Sequence, residues 1–303
     1  MRALVIGYGS IGMRHARLLG ALGLDVAVVS RRKVAAPKVY PTIAEAVSDF
    51  APGYAVVASR THEHQGDLAA LAEAGFTGTV LVEKPLFDRV RKLPDHGFRS
   101  IHVAYNLRFH PVVRRLKELL DDATPYAVHA YVGHDLSLWW PDKDYRTNFR
   151  ARRAEGGGVL RDLSHELDYL AWMLGPWSRL TALGGHVSGL EIGSDDVFSL
   201  LFATRRCPVV TANMNYLDST LRRRVLALTD KGSIIADLVA GTVEFRGNTE
   251  SFEAGRDDTY IAEHKATLAG DTGTLCTLAE GLAVVGMIDA ADRTAAKREW
   301  VAA

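Results

Sequence analysis

Three glycines, at positions 7, 9 and 12, constrain this chain more than any other feature. They stand in Gly7-Tyr8-Gly9-Ser10-Ile11-Gly12, directly after the short apolar run Ala3–Ile6. Ile11, His15, Leu18, Leu19 and Leu22 then recur on one helical stripe. A glycine triplet in this spacing, between a strand and a helix, is the fingerprint of a dinucleotide-binding turn. Gly7 allows the tight turn, Gly9 lets backbone approach a pyrophosphate, and Gly12 lets the helix pack close to the strand. The N–H groups of residues 9–12 then face the phosphates, with Tyr8, Ser10 and Ile11 as the intervening contacts. The second apolar run, Val26–Val29, ends in Ser30-Arg31-Arg32-Lys33. An enzyme that prefers NAD usually carries Asp or Glu near here, to hold the ribose 2′-hydroxyl. A hydroxyl and three cations suit a 2′-phosphate instead. The expected cofactor is therefore NADP in preference to NAD, with Ser30, Arg31 and Arg32 reading that phosphate.

Further short apolar runs follow at Ala55–Ala58, Thr79–Val82 and Ile101–Ala104, and helical patterns separate them. Alternation of this kind predicts α/β architecture with a doubly wound parallel sheet, because parallel strands need crossovers. The first domain is expected to span residues 1–105. Residues 106–303 change character. A helix is predicted at Pro111–Leu120 and a strand at Tyr126–Val132. A long helix, Val159–Leu174, lies between Gly156-Gly157-Gly158 and Gly175-Pro176. Consecutive strands are predicted at Val197–Phe202, Val209–Met214, Arg223–Ala227, Ser233–Ala236 and Thr242–Phe245. They imply a second α/β domain built on a large, mostly antiparallel open sheet. A terminal helix within residues 274–300 is free to pack on either domain.

Composition excludes some classes. The 36 basic and 36 acidic residues balance, so overall charge points to neither nucleic acid nor membrane. Two cysteines, Cys207 and Cys276, argue against a disulfide framework and suit a reducing, cytoplasmic setting. The run Leu4–Ile6 is too short for the apolar core of a signal peptide. No metal is expected: His165, Asp162 and Asp168 offer too few well-spaced ligands.

Two segments carry chemistry. The fourth strand ends in Glu83-Lys84-Pro85, and ligands gather at the carboxyl ends of parallel strands. Pro85 restricts Lys84 to extended backbone angles, which would aim its side chain. On the helix Val159–Leu174, the stripe Leu160, Leu163, Leu167, Leu170, Ala171 and Leu174 reads as core. Asp162, His165 and Tyr169 form a second stripe facing water or a cleft. Oxidation of a carbinol requires loss of the hydroxyl proton, and an imidazole suits that task near neutral pH. A lysine cation stabilises a developing alkoxide. His165 is thus the candidate acid/base, Asp162 its partner, and Lys84 the cationic group or, with a depressed pKa, the base. Asn106 and Arg108 follow the last parallel strand as candidate substrate or nicotinamide contacts. The stretch Leu138–Arg146 mixes aromatics and charges, so Trp140 and Arg146 either meet a sugar and its anionic group or serve packing and surface ion pairs.

The order of these motifs resembles the Gfo/Idh/MocA family of oxidoreductases. The resemblance rests on the N-terminal glycines, Ala58-Ser59-Arg60-Thr61-His62-Glu63-His64, Glu83-Lys84-Pro85, Tyr105–Pro111 and Gly156–Asp168. The last two motifs look most like a subgroup found with genes for nonulosonic acids and surface polysaccharides. The resemblance implies a catalytic lysine at Lys84, a catalytic histidine at His165, and cofactor contacts from Ser59, Arg60, His64, Glu83 and Lys84. It also implies a carbohydrate-like substrate and a homodimer or homotetramer built on the open sheet. Many relatives place an aspartate four residues before the histidine; here that position is Arg161, and Asp162 lies three before. Two rival functions use the same residues: a cofactor-retaining enzyme that cleaves or epimerises glycosides, and a non-catalytic NAD(P)-binding sensor or scaffold.

Overall fold

The structure, a computed structural model, describes every residue except Pro37, Trp140, Pro141 and Arg298. Its first elements are β1 (Arg2–Ile6), α1 (Ser10–Ala21), β2 (Asp25–Val29), β3 (Val39–Tyr40), α2 (Ile43–Phe50), β4 (Tyr54–Val57), α3 (His64–Glu73), β5 (Thr79–Val82) and β6 (Ser100–Val103). Then come α4 (Pro111–Asp121), β7 (Pro125–Gly133), α5 (Val159–Asp162), α6 (His165–Leu174), β8 (Trp177–Gly185), β9 (Val197–Thr204), β10 (Val209–Asn215), β11 (Arg222–Thr229), β12 (Gly232–Asp237), β13 (Thr242–Phe245) and β14 (Asn248–Ser251). The chain ends with α7 (Asp258–Ala269), β15 (Cys276–Thr277), α8 (Leu278–Lys297) and β16 (Val301–Ala302).

Two compact units result: Met1–Asn106 with Asp257–Leu282, and Leu107–Arg256 with Ala283–Ala303. The first carries a seven-stranded sheet in the order β15-β6-β5-β4-β1-β2-β3. The pairs from β6 through β3 are parallel and only β15 runs against its neighbour. Ala3 to Val5 and all of β4 are fully buried, the continuous apolar reading of strands covered on both faces. The second carries a nine-stranded sheet, β14-β13-β12-β11-β7-β10-β9-β8-β16. It is antiparallel except where β7 lies parallel to β10. Strand β11 alternates strictly over its last five residues: Val225, Ala227 and Thr229 buried, Leu226 and Leu228 exposed. One face of this sheet is therefore core and the other is open.

Three features differ from the sequence reading. First, residues 257–282 belong to the first unit, whereas the second domain was expected to span residues 106–303 with only the terminal helix within 274–300 free to pack on either domain. The returning helix α7 buries Thr259, Glu263, His264 and Thr267. A buried face made of polar side chains leaves no apolar stripe, so periodicity does not reveal it. Second, α8 divides between the units, its residues 278–282 in the first and 283–297 in the second. Third, the helix expected over Val159–Leu174 is two helices. Leu163 N–H still reaches Val159 O at 2.9 Å, but Glu166 N–H reaches back only three residues, to Leu163 O at 3.4 Å, and Leu163 and Ser164 separate the two helices. Asp162 and His165 thus sit on either side of a break. Among the described residues no helix is long and apolar enough to cross a membrane.

Candidate active site

The glycine turn comes first. Gly7 has φ +89°, and a Cβ there would stand 2.6 Å from the Ser59 backbone nitrogen. A Cβ on Gly12 would stand 2.1 Å from the Gly7 carbonyl oxygen. The fold itself therefore demands glycine at both positions. At Gly9 a Cβ would meet nothing within 4 Å. The missing side chain there leaves a cradle beside the start of α1. No acidic residue stands in the first turn of that helix, and Gly9 caps it with no side-chain hydrogen bond. The first N–H groups of a helix lack intrahelical acceptors, so this cradle fits a dinucleotide pyrophosphate. Tyr8 and Ile11 are half-buried against the core beneath it, and Ser10 is exposed.

At the end of β2, the Ser30 hydroxyl donates to Arg32 O at 3.0 Å and accepts from Arg32 N–H at 3.2 Å. This local turn leans the Arg32 guanidinium back to within 3.4 Å of Tyr8 O, over the glycine turn. Arg31 extends into solvent, 3.9 Å from Glu63. At the end of β4, the Ser59 hydroxyl donates to Asp67 and the Arg60 N–H to Glu63. His64 is buried, its ring nitrogens 3.0 Å from Leu86 O and 3.3 Å from Ser59 O. Burial pushes this imidazole below its ordinary pKa. Its ring is committed to the backbone, so it shapes the turns around Ser59 and Leu86.

Glu83 follows β5 at the carboxyl edge of the parallel sheet and is buried. Its Oε1 lies 2.9 Å from His15 Nε2 on α1, and its Oε2 accepts the Lys84 N–H at 3.1 Å. Burial alone would push the carboxyl up. The His15 hydrogen bond, with the charges of His15 and Lys84, outweighs it and holds the group below the usual carboxylate range. The Lys84–Pro85 peptide is cis. Asn106 is buried and donates to the Thr259 hydroxyl at 2.7 Å, tying the end of the first segment to α7.

The second unit arranges its own groups. Of residues 156–170, His165 alone is not buried. Asp162 accepts from Arg150 Nε at 2.6 Å and from the Tyr216 hydroxyl at 3.2 Å. Arg150 also stands over the Trp139 ring at 5.0 Å. On the stripe read as facing water or a cleft, Asp162 and Tyr169 are buried and His165 is not; Tyr169 donates to Glu166, which pairs with Arg223. Arg108, expected to meet substrate, is 1 % exposed and grips Asp168 through Nε and Nη2 at 2.9 and 2.6 Å. Its guanidinium also covers the Trp172 ring. Arg146 is half-exposed and pairs with Asp144 and Glu191, the surface alternative of its two readings. Trp140 lies outside the described residues. Its neighbour Trp139 lines a cavity of about 220 Å³ with Val132, His134, Leu163, Leu221 and Arg223.

Sequence reasoning missed the roles of Arg150, Tyr216 and Arg223 and the pairing of His15 with Glu83. Each is defined by a pairing across many residues, for which spacing carries no signal.

Family models match both halves of the chain. One, described as an oxidoreductase family with an NAD-binding Rossmann fold, covers residues 1–97; the other, the GFO/IDH/MocA C-terminal domain, covers residues 113–235. The chain belongs to the Gfo/Idh/MocA family. As a member it is an oxidoreductase with an NAD-binding Rossmann domain. Solved structures of similar fold span all of this Gfo/Idh/MocA chain. GenD2 from gentamicin A biosynthesis, in complex with NAD, is 25% identical over 100% of this chain and 96% of its own, with a TM-score of 0.81. Levoglucosan dehydrogenase, in complex with NADH and levoglucosan, is 18% identical over 100% and 98%, with a TM-score of 0.83. The WlbA dehydrogenase from Bordetella pertussis, in complex with NADH and UDP-GlcNAcA, is 17% identical over 100% and 97%, also at 0.83. No curated protein matches the chain.

Proposed function

We propose that this protein oxidises or reduces a carbinol carbon of a sugar, nucleotide sugar or nonulosonate-type substrate. His165 serves as acid/base and Lys84 as the cationic group at the reacting oxygen. The observation that carries this reading is the accessibility of His165. It is the one unburied side chain in a stretch that otherwise packs or pairs inward. A bound nicotinamide dinucleotide supplies the hydride chemistry. The chain's own work is to hold the dinucleotide at the glycine cradle, to take or return the hydroxyl proton at the imidazole, and to stabilise negative charge on the oxygen with an ammonium. Asp162, held by Arg150 and Tyr216, anchors the turn that presents His165. The named ligands of levoglucosan dehydrogenase and WlbA are carbohydrates, which supports the substrate class. So does the indole of Trp139 beside polar groups in the small cavity. The test is turnover on a panel of sugars and nucleotide sugars, read as nicotinamide absorbance. Consumption of a glycoside with no net absorbance change would replace this reading with the cofactor-retaining one.

The cofactor choice follows from the end of β2. Its Ser30-Arg31-Arg32 turn contributes cations and no carboxylate, so NADPH is expected to bind about tenfold more tightly than NADH, the worth of one charge-assisted hydrogen bond. Replacing Arg31 and Arg32 together by alanine should erase the difference. Fluorescence titration checks both, and tighter NADH binding to the unaltered protein would defeat the assignment.

The open face of the nine-stranded sheet carries Leu201, Leu226, Leu228 and Ile235, each 36–39 % exposed. Leu226 faces Ile235 across β11 and β12, and His129 and Thr211 lie between Leu226 and Leu201; exposed apolar side chains grouped this way favour association. The protein is expected to be a homodimer or homotetramer through this face. Leu226→Glu should then shift it to monomer in light scattering; an unaltered protein that runs as a monomer would dismiss the idea.

A further inference from the structure

The first unit buries two imidazoles back to back. His15 on α1 and His264 on α7 are both fully inaccessible. His15 Nδ1 lies 2.9 Å from His264 Nε2, and His264 Nδ1 lies 2.9 Å from the Tyr54 hydroxyl at the start of β4. At the other end, His15 Nε2 reaches Glu83 Oε1, also at 2.9 Å. A line of hydrogen bonds thus runs from the amino edge of the parallel sheet, at Tyr54, to its carboxyl edge, at Glu83. Helices α1 and α7 each contribute one link.

Burying imidazoles is costly unless each ring nitrogen finds a partner. Here all four nitrogens do. Donor counting then limits the line to two states. A carboxylate accepts only, so His15 Nε2 must carry a hydrogen. If His15 is neutral, its bare Nδ1 accepts from His264 Nε2–H, and His264 Nδ1 accepts from Tyr54. If His15 is an imidazolium, the two outer bonds reverse and Tyr54 accepts. In both states Glu83 receives a hydrogen from His15, so the bond to Glu83 survives a change of charge on the line. The surrounding charges are few. The Tyr260 ring meets His15 edge-on at 5.7 Å, and the Arg14 guanidinium stands over that ring at 5.0 Å. Glu263 acts on Tyr54, and Lys84 and Glu83 flank the His15 end. Burial and the neighbouring His15 keep His264 well below its ordinary pKa, so that ring is the neutral link.

We infer that His15 and His264 are positioning residues for the Glu83-Lys84-Pro85 turn. They hold Glu83 as a carboxylate in one orientation. The second oxygen of Glu83 holds the Lys84 N–H, and thereby sets the backbone from which the Lys84 ammonium projects. The inference rests on the catalytic reading of Lys84.

The test compares His15→Leu, which fills the space without hydrogen bonding, with His15→Gln, whose amide can donate to Glu83 and accept from His264. Two readouts are taken on the full chain. The first needs no turnover: the Glu83 carboxyl is titrated by carbon NMR in glutamate-labelled protein, with Glu83→Gln giving the assignment. Its midpoint should move up in His15→Leu and return toward the starting value in His15→Gln. The second is kinetic. In His15→Leu, kcat should fall about ten- to a hundredfold, the effect of losing a hydrogen bond to a charged group. Its pH profile should shift while the dissociation constant of the dinucleotide stays within about threefold, and His15→Gln should restore most of the rate. A folded His15→Leu protein with an unmoved Glu83 midpoint overturns the positioning line. A moved midpoint with unchanged kcat and pH profile overturns its link to Lys84. If no sugar is turned over by the unaltered protein, the proposed function fails while the titration still decides the line. Should His15→Leu not fold, His264→Gln, which leaves His15 in place, is read in the same two ways with the same outcomes.

Discussion

Lys84→Ala is expected to lower kcat about 10³-fold, with the dinucleotide dissociation constant unchanged within about threefold. The lysine stands in a turn at the carboxyl edge of the parallel sheet, where ligands of such sheets gather. Its backbone is pinned by Glu83, which is itself held by His15. The glycine cradle lies on different backbone, at residues 7–12, so cofactor binding has no reason to change. A cation that acts on the reacting oxygen contributes mainly where charge develops, so its removal lowers kcat more than it raises KM. His165→Ala should show the same signature at about 10²- to 10³-fold. Steady-state kinetics with a turned-over sugar, beside fluorescence titration of the dinucleotide, checks both. Full activity in both variants would remove these residues from the chemistry.

Arg108→Met is expected to destabilise the folded protein by about 3–5 kcal/mol. In the second unit Arg108 and Asp168 are 1 % and 2 % exposed as side chains, joined through Nε and Nη2, with the guanidinium packed on Trp172. Losing the arginine strands a carboxylate in a low-dielectric interior, and the penalty is that of the stranded charge. Replacing both partners with apolar residues, as in Arg108→Met with Asp168→Leu, removes the charge altogether and should recover much of the loss. Urea unfolding followed by circular dichroism measures this. The experiment also separates the two roles considered for Arg108. A substrate contact would raise KM and leave the unfolding midpoint where it was; a packing ion pair moves the midpoint with no substrate present.

Much of the first unit was legible because its determinants are local. The strand ends, the glycine spacing and the Glu83-Lys84-Pro85 turn each involve neighbours in sequence, and β5 coincides with the run read for it. The second unit was legible as a succession of strands, since one of its sheet faces is core and alternation follows directly. The break at Leu163 and Ser164 was not. The apolar stripe from Leu160 to Leu174 continues through it at helical spacing, and periodicity responds to side chains while the lapse is in backbone bonding.

The sequence by itself determined where backbone must turn tightly or pack closely, which runs become strands, and which residues carry ionisable chemistry. Those are properties of a residue and its near neighbours. Only the tertiary structure decided how the charged and polar groups are spent. It took Arg108 from a candidate substrate contact into a buried pair with Asp168, 60 residues away. It placed the buried His64 ring between the Leu86 and Ser59 carbonyls, and it joined His15 to His264 across 249 residues. A buried polar group must find a partner, but its own sequence neighbourhood does not say which one. That choice is made by the packing of helices and strands that bring distant segments within hydrogen-bonding reach.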